Sequence, residues 1–285
     1  MGNMNVSILA APASSSSNEM PDHDFQQFSR LIHNIAGIHL TPAKKTLVAG
    51  RLASRLQHHK VSSYGDYYRL VTRTGNEVEL QTMVDLLTTN ETYFFREPQH
   101  FDFLRETAMR HRARGGGAFR VWSAASSSGE EAYSMAMVLA HVFGDAPWEV
   151  VGTDISTRVL AQAERGLYRM DRISGIPLEW LRKYCLRGQD EYSGMLLVAK
   201  ELRSRVRFQQ CNLLEPRRDL GVFDVIFLRN VMIYFDNATK SRVVANLLPY
   251  LRAEGHFVVG HSETLNGIAT SLATVRPTIY RRVAA

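Results

Sequence analysis

The stretch that most constrains the fold is Phe119–Ala140, FRVWSAASSSGEEAYSMAMVLA. Phe119 to Ala124 is short and mostly apolar, the pattern of a buried strand, and the chain then switches to Ser126, Ser127, Ser128 and Gly129. A helix follows. Met135, Val138, Leu139 and Val142 recur at helical spacing, and Glu130 and Glu131 sit in its first turn, where carboxylates favour the positive end of the helix dipole. Strand, small-residue turn, helix is how an open α/β sheet begins a nucleotide-type cofactor site, because small side chains let a ligand approach the backbone. An ordinary ligand-free turn stays open as a reading of this stretch alone.

The turn has no G-x-G-x-x-G. Three glycines suit a pyrophosphate lying against backbone N–H groups, whereas a cofactor without phosphate needs only a small-residue shelf and a few polar anchors. S-adenosylmethionine (SAM) is such a cofactor. The chain has 285 residues, enough for two domains, with 45% hydrophobic and 22% charged residues. No apolar run approaches the roughly 20 residues that span a bilayer, and the Ser/Ala/Asn-rich start lacks the basic cluster of a signal peptide, so a cytoplasmic protein is expected. Cys185 and Cys211 are too few for a disulfide framework, the ten His show no metal-ligand spacing, and no metal is expected. A formal charge of +6 points to an acidic partner.

Residues 1–20 read as a disordered tail and 21–90 as a small all-α domain. Phe25, Phe28, Ile32 and Ile35 give one helical face ending near Gly37, and Thr41-Pro42 reads as the cap and first position of the next helix. On that helix Val48, Leu52 and Leu56 form the core stripe, while Lys44, Arg51, Arg55 and His58 share an adjoining arc. No acid occurs between Asp24 and Asp66, so the arc reads either as a solvated face or as a docking surface for an acidic partner. Helices at Ser62–Thr72 and Glu77–Thr88 complete the domain, and residues 91–117 form a linker and a connecting helix.

From 118 to 285 the pattern is a doubly wound, mostly parallel α/β sheet with an inserted antiparallel β subdomain at about 180–202. Glu149–Ile155 reads as the second strand, with Asp154 at the end where such sheets place a ribose-binding carboxylate. Ser156 is the expected cap of the following helix, leaving Asp154 without that duty. Val206–Cys211, Phe223–Asn230 and Gly255–Gly260 are further strands, a helix is expected over Ala238–Leu251, and Thr278–Val283 returns antiparallel. Ligands bind beyond the carboxyl ends of such strands, which gathers Ser123–Glu131, Asp154, Asn212, Leu213, Arg229, Asn230 and Tyr234 at one crevice.

No Ser/His/Asp or Cys/His set is visible. A methyl acceptor already ionised at pH 7, such as glutamate with its ordinary pKa of about 4.3, needs no base to attack a sulfonium methyl, only alignment. Arg96 or Tyr234 supplies a donor to hold its oxygen.

Asn90-x-Thr92-x-Phe-Phe-Arg96, the central Val121–Ser134 segment, Asp154-Ile155, Asn212-Leu-Leu-Glu215, Arg229-Asn-Val-Met-Ile-Tyr-Phe235 and Gly260-His-Ser-Glu263 together resemble the motifs of the chemotaxis receptor glutamate methyltransferases, the CheR family, over residues 22–283. The resemblance implies methyl esterification of glutamates on the cytoplasmic helices of chemoreceptors, with S-adenosylhomocysteine (SAH) as product. It implies SAM contacts from Asn90, Thr92, Arg96, Glu131, Asp154, Asn212, Leu213, Arg229 and Asn230, with Arg96 and Tyr234 as catalytic contributors. It makes Lys44, Arg51 and Arg55 a receptor-docking face. Arg187, Gly188 and Gly194 resemble members that capture a receptor's C-terminal pentapeptide, although Asp190 and Leu197 stand where those members have a glycine and a basic residue. A monomer is expected.

Two other functions fit parts of the pattern. A SAM-dependent nucleic-acid methyltransferase would suit the positive charge but needs a motif such as Asn/Asp-Pro-Pro-Tyr where the chain reads Arg229-Asn-Val-Met, so no nucleic-acid partner is expected. A SAM-sensing interaction module would use the basic helix and the β edge without catalysis.

Overall fold

The computed structural model describes residues 19–215, 218–265, 267–268 and 271–283. Helix α1 (Asp22–Ala36) buries Phe25, Phe28 and Ile32 and closes on Gly37, whose φ of 72° gives the left-handed turn. Helix α2 (Lys45–His59) is entered through a 3₁₀ turn, Pro42–Lys44, and the Thr41 side chain makes no cap bond, so the helix starts later than the Thr-Pro pair indicates. Helix α3 (Tyr64–Thr72) opens on a reciprocal cap: Ser63 Oγ accepts from Asp66 N at 3.1 Å and donates to Asp66 Oδ2 at 2.6 Å. With α4 (Glu77–Leu87) these helices close around Phe28, Ile32, Leu52, Tyr67 and Met83. Residues 1–18 of the expected tail lie outside the described residues, whereas Met20 is fully buried in this core, so the domain begins before residue 21.

Helix α5 (Pro98–Ala113) leads to β1 (Phe119–Ser123), α6 (Glu130–Phe143), β2 (Trp148–Asp154) and α7 (Thr157–Arg165). Then come β3 (Leu167–Arg169), α8 (Leu178–Tyr184), β4 (Cys185–Arg187), β5 (Met195–Val198) and the short α9 (Lys200–Arg203). Strands β6 (Val206–Gln210) and β7 (Phe223–Leu228), helix α10 (Asn237–Leu247), and β8 (Leu251–Val259), β9 (Leu272–Arg276) and β10 (Ile279–Arg282) complete the chain. Seven strands form one sheet in the order β6-β2-β1-β7-β8-β10-β9, parallel except where β10 pairs with β8 and β9. Its strands alternate sides: Val121, Val150 and Val225 enter one core with α5 and α6, and Trp122, Val151 and Ile226 enter the other with α10. The chain runs outward from β1 in both directions, which opens a crevice above the carboxyl ends of β1, β2 and β7.

Three expectations shift. The small antiparallel sheet, β3-β5-β4, takes in Leu167–Arg169, upstream of the 180–202 stretch. Helix α10 stops at Leu247, and Pro249 lies in a 3₁₀ turn that hands over to β8 four residues early. Strand β9, a short stretch whose residues are half or fully exposed, is not among the strands the sequence pattern indicates. Among the described residues no helix is long and apolar enough to cross a membrane.

The helical domain is laced onto the sheet rather than tethered to it. Ile38 bridges Phe235 in antiparallel fashion, and His39 N donates to Tyr234 O at 2.8 Å. Gln81 Nε2 donates to Ile155 O at 3.0 Å, and Asn212 Nδ2 donates to Ile35 O at 2.7 Å. The helical domain therefore forms one wall of the crevice.

Candidate cofactor cleft

The crevice encloses a cavity of about 400 Å³. Asn90, Thr92, Arg96, Glu131, Asp154, Asn212, Leu213, Arg229 and Asn230 all line it, joined by Tyr234, Lys44 and Arg51. Arg55, Arg187, Gly188 and Gly194 do not.

At one end of the cavity Asp154 closes β2. Its carboxylate accepts Ser127 N at 2.9 Å and Ser156 N at 3.0 Å, and Ser127 takes a φ of 49° to present that N–H. Burial pushes the Asp154 carboxyl up, and these N–H donors pull it down. Each oxygen keeps a further lone pair. The expected division of labour at α7 is corrected. Ser156 Oγ is buried and makes no hydrogen bond among the described residues, and the cap comes from Asp85 on α4, which accepts Thr157 N at 3.0 Å and Arg158 N at 3.1 Å. Asp154 is free of the cap but committed to ordering the serine turn.

The small residues of that turn serve two purposes. Ala124, Ala125 and Ser127 face the cavity. Gly129, at φ 95°, has a different constraint: a Cβ there would come within 2.8 Å of Ala163 Cβ and 2.9 Å of the Tyr168 hydroxyl, so packing of α7 and β3 excludes a side chain.

At the opposite end the Arg229 guanidinium, 1% exposed, bridges Glu131 at 2.8 Å and Glu97 at 2.9 Å and donates to Arg96 O. Glu131 also accepts Ser123 Oγ at 2.7 Å; burial drives its carboxyl up and Arg229 opposes the rise. For Glu97 burial acts in the same direction, but Arg229 and the Asn230 amide outweigh it and the carboxyl lies below its ordinary value. Asn230 holds a φ of 57° because Glu263 gathers three backbone donors: Asn230 N and Met232 N at 2.7 Å, and Gly260 N at 2.8 Å. A Cβ on Gly260 would fall 2.6 Å from Asn230 Nδ2. These roles of Glu97, Glu263 and Asp85 are not apparent from the sequence; the Glu in Gly260-His-Ser-Glu263 is the signal for one of them.

Two expected site residues are less free than their motifs indicate. The Asn212 side chain is consumed by backbone, donating to Ile35 O and accepting Leu214 N at 3.0 Å, so it braces the wall and leaves its main chain for a ligand. Arg55 is corrected as a free docking cation: it donates to Glu79 Oε1 at 2.9 Å, beside Tyr67 Oη, which donates to the same oxygen at 2.6 Å. The gap in acids along α2 is filled by α4. Arg51 donates to Leu87 O at 3.0 Å, Thr88 O at 3.1 Å and Thr89 Oγ1 at 3.2 Å, meeting carbonyls and a hydroxyl but no carboxylate among the described residues. Lys44 is exposed. Arg96 donates to Glu91 O at 3.1 Å, lies 5.7 Å from the Tyr93 ring, and pairs with no carboxylate among the described residues.

The donor set suits a cofactor that is apolar and aromatic in the middle and polar at both ends. Asp154 would take a ribose diol, Val48, Ile155 and Leu213 would flank a base, and Arg96 with Asn90 and Thr92 would meet a charged amino-acid tail. Sheet, turn and cleft together define a SAM-dependent methyltransferase. Residues 90–281 match the family described as CheR methyltransferase, SAM binding domain, and residues 23–88 match its all-alpha domain. The chain is 38% identical over 264 residues to the chemotaxis protein methyltransferase of Salmonella typhimurium, covering 92% of this chain and 90% of that protein. It is 40% identical over 260 residues to chemotaxis protein methyltransferase 2 of Pseudomonas aeruginosa, covering 90% and 92%. The chain belongs to the CheR methyltransferase family, and its cofactor is SAM.

Proposed function

We propose that this chain is a cytoplasmic protein-glutamate O-methyltransferase that forms methyl esters on the cytoplasmic helices of methyl-accepting chemoreceptors, the adaptation chemistry of bacterial chemotaxis. The observation that carries the reading is the chemistry of the cleft mouth. Arg96, Arg51, Lys44 and Tyr234 line the cavity, and two of its acids are already engaged, Glu131 by Arg229 and Asp154 by two backbone N–H groups. Such a mouth, with three cations against the one exposed carboxylate of Glu91, attracts an anion.

Bound SAM supplies a methyl on a sulfonium sulfur that leaves as a neutral thioether. The protein's part is to hold one oxygen of an ionised glutamate in line with that methyl carbon, and alignment of this kind contributes up to about 7–11 kcal/mol. Arg96 and Tyr234 orient the carboxylate through charge-assisted hydrogen bonds. Asp154, Leu213 and the Asn90–Thr92 segment fix the cofactor; Arg229 and Asn230 shape the closed end.

Lys44 and Arg51 supply the docking charge for an acidic receptor helix, and Arg55 supports them from within the domain through Glu79. Arg187 lies on β4, an outer strand of the small sheet, where an added peptide strand would pair. Gly188 is confined there, since a Cβ would fall 2.0 Å from Tyr192 O, and Asp190 takes a φ of 49°, a conformation a glycine would hold more readily. A receptor's C-terminal pentapeptide would therefore meet a preserved turn, with Gly194 closing it at φ 80°.

The test is transfer of labelled methyl from SAM to a receptor cytoplasmic fragment. Label released as methanol by mild alkali supports the ester; alkali-stable label, or label on DNA in its place, contradicts it.

A further inference from the structure

Outside the transfer chemistry, the α5 start and the loop after β8 bring together three side chains that the sequence spacing does not connect. Glu97, His100 and His261 each direct one ligand atom into a space where all three atoms lie within 4.8 Å of one another. The hydrogen bonds around His100 assign its ring proton. With the Thr278 hydroxyl donating to Pro277 O at 2.6 Å, His100 Nε2, 2.7 Å from Thr278 Oγ1, is assigned as the donor to it. His100 Nδ1 is then a bare lone pair. It is buried, the residue being 1% exposed, has no hydrogen-bond partner among the described residues, and faces Glu97 Oε2 at 3.3 Å. An unprotonated Nδ1 and a carboxylate oxygen 3.3 Å apart repel each other, an arrangement that costs free energy unless a cation joins them. At the third corner the Gln99 carboxamide contacts His261 Nε2, and an ion bound there takes the place of that contact as the exposed His261 ring turns.

We propose that Glu97 Oε2, His100 Nδ1 and His261 Nε2 form a site for one divalent transition ion of the zinc type, and that its occupancy works against cofactor binding. Imidazole nitrogen and carboxylate oxygen are ligands that Zn²⁺ accepts, at about 2.0–2.2 Å, which in a tetrahedron separates neighbouring ligands by about 3.4 Å. The Glu97–His100 separation of 3.3 Å meets that value, and the Glu97–His261 separation of 3.9 Å meets it after a small turn of His261, whose side chain is 45% exposed. The fourth position opens towards the exposed His261 side. Glu97 is also what links this cluster to the cleft. Its Oε2 accepts from Arg229 at 2.9 Å and from His261 N at 3.2 Å, and its Oε1 from Asn230 Nδ2 at 3.3 Å. An ion on Oε2 competes with the Arg229 guanidinium for the same oxygen and loosens two residues that line the cofactor cavity. By linkage, cofactor must loosen the ion by the same factor. This second half rests on the cofactor reading; the first does not.

The two halves separate experimentally. Metal-free protein without nucleoside is titrated with Zn²⁺ against a chromophoric chelator. The wild type should take up one tight equivalent, and His261→Ala and His100→Ala should each bind it at least about 100-fold more weakly, while the exposed-site control His58→Ala matches wild type. Circular dichroism establishes that each variant is folded, and the exposed His261 keeps the test decisive if the buried His100 variant unfolds. No tight equivalent in wild type, or an unchanged one in His261→Ala, overturns the site. SAH affinity is then measured with and without saturating Zn²⁺. The wild type should lose about fivefold or more and His261→Ala should not change; equal SAH affinity in the two wild-type titrations overturns the coupling.

Discussion

The two ends of the cleft handle charge in opposite ways. At the closed end the buried Arg229 and Glu131 and the half-buried Glu97 spend their charges on one another, with Ser123 and Asn230 filling remaining hydrogen-bond positions. At the mouth, among the described residues, Lys44, Arg51 and Arg96 find only carbonyls, a hydroxyl, an aromatic face or solvent. Buried charges that satisfy each other hold a shape, and removal of one strands the others. Cations left without a counter-charge at an opening are available to a ligand that brings one. The difference teaches which residues to regard as scaffold and which as contact, although all line the same cavity.

The largest expected effect tests the closed end. Arg229→Met leaves the buried Glu131 and the half-buried Glu97 without their cation, and urea denaturation should show a loss of about 3–5 kcal/mol together with loss of SAH binding. A variant within about 1 kcal/mol of wild type would break the contrast. Arg96→Ala should do the reverse, leaving stability within about 0.5 kcal/mol while turnover falls roughly 100-fold or more, measured as initial rates of base-labile methylation. Smaller again, Lys44→Glu should lower kcat/KM for receptor by roughly fivefold, about 1 kcal/mol, with SAH affinity held and the deficit shrinking in high salt. The same reversal at Arg55 should appear as lost stability instead, because its partner is Glu79.

Glu79 also gives a pH signature confined to the helical domain. Burial alone would raise its carboxyl, yet hydrogen bonds from Arg55, Tyr67 and His59 hold it down from 4.5 to about 2. The folded value is depressed, so the stabilisation is fully present above pH 4.5 and is lost as pH falls from there through about 2. Acid titration of Glu79→Gln should lack that part of the wild-type loss.

Most of the cleft was legible in the chain because its residues sit at the ends of strands, where an apolar run and the polar residue that stops it are both visible. Asp154, Arg229 and Asn230 were placed in this way, and the motif resemblance added Asn90, Thr92 and Arg96. Partners contributed by other elements were not legible. Arg55 reads as a free cation until Glu79 arrives from α4, and Ser156 reads as a cap until Asp85 takes its place. His100 and His261 lie too far apart in sequence for any spacing rule to join them. Strand β9 lacks an apolar alternation because it is an outer strand whose residues are half or fully exposed. Local pattern reports what a segment buries; it is silent on which distant side chain completes a charge.

A calorimetric titration of wild type and Asp154→Ala with SAH bears most directly on the cleft as the cofactor site. One site is expected in wild type and a large loss of affinity in the variant, whose missing carboxylate orders the serine turn and, on the proposed reading, would take the ribose. No heat in wild type at millimolar SAH, or equal affinity in the two proteins, would contradict it.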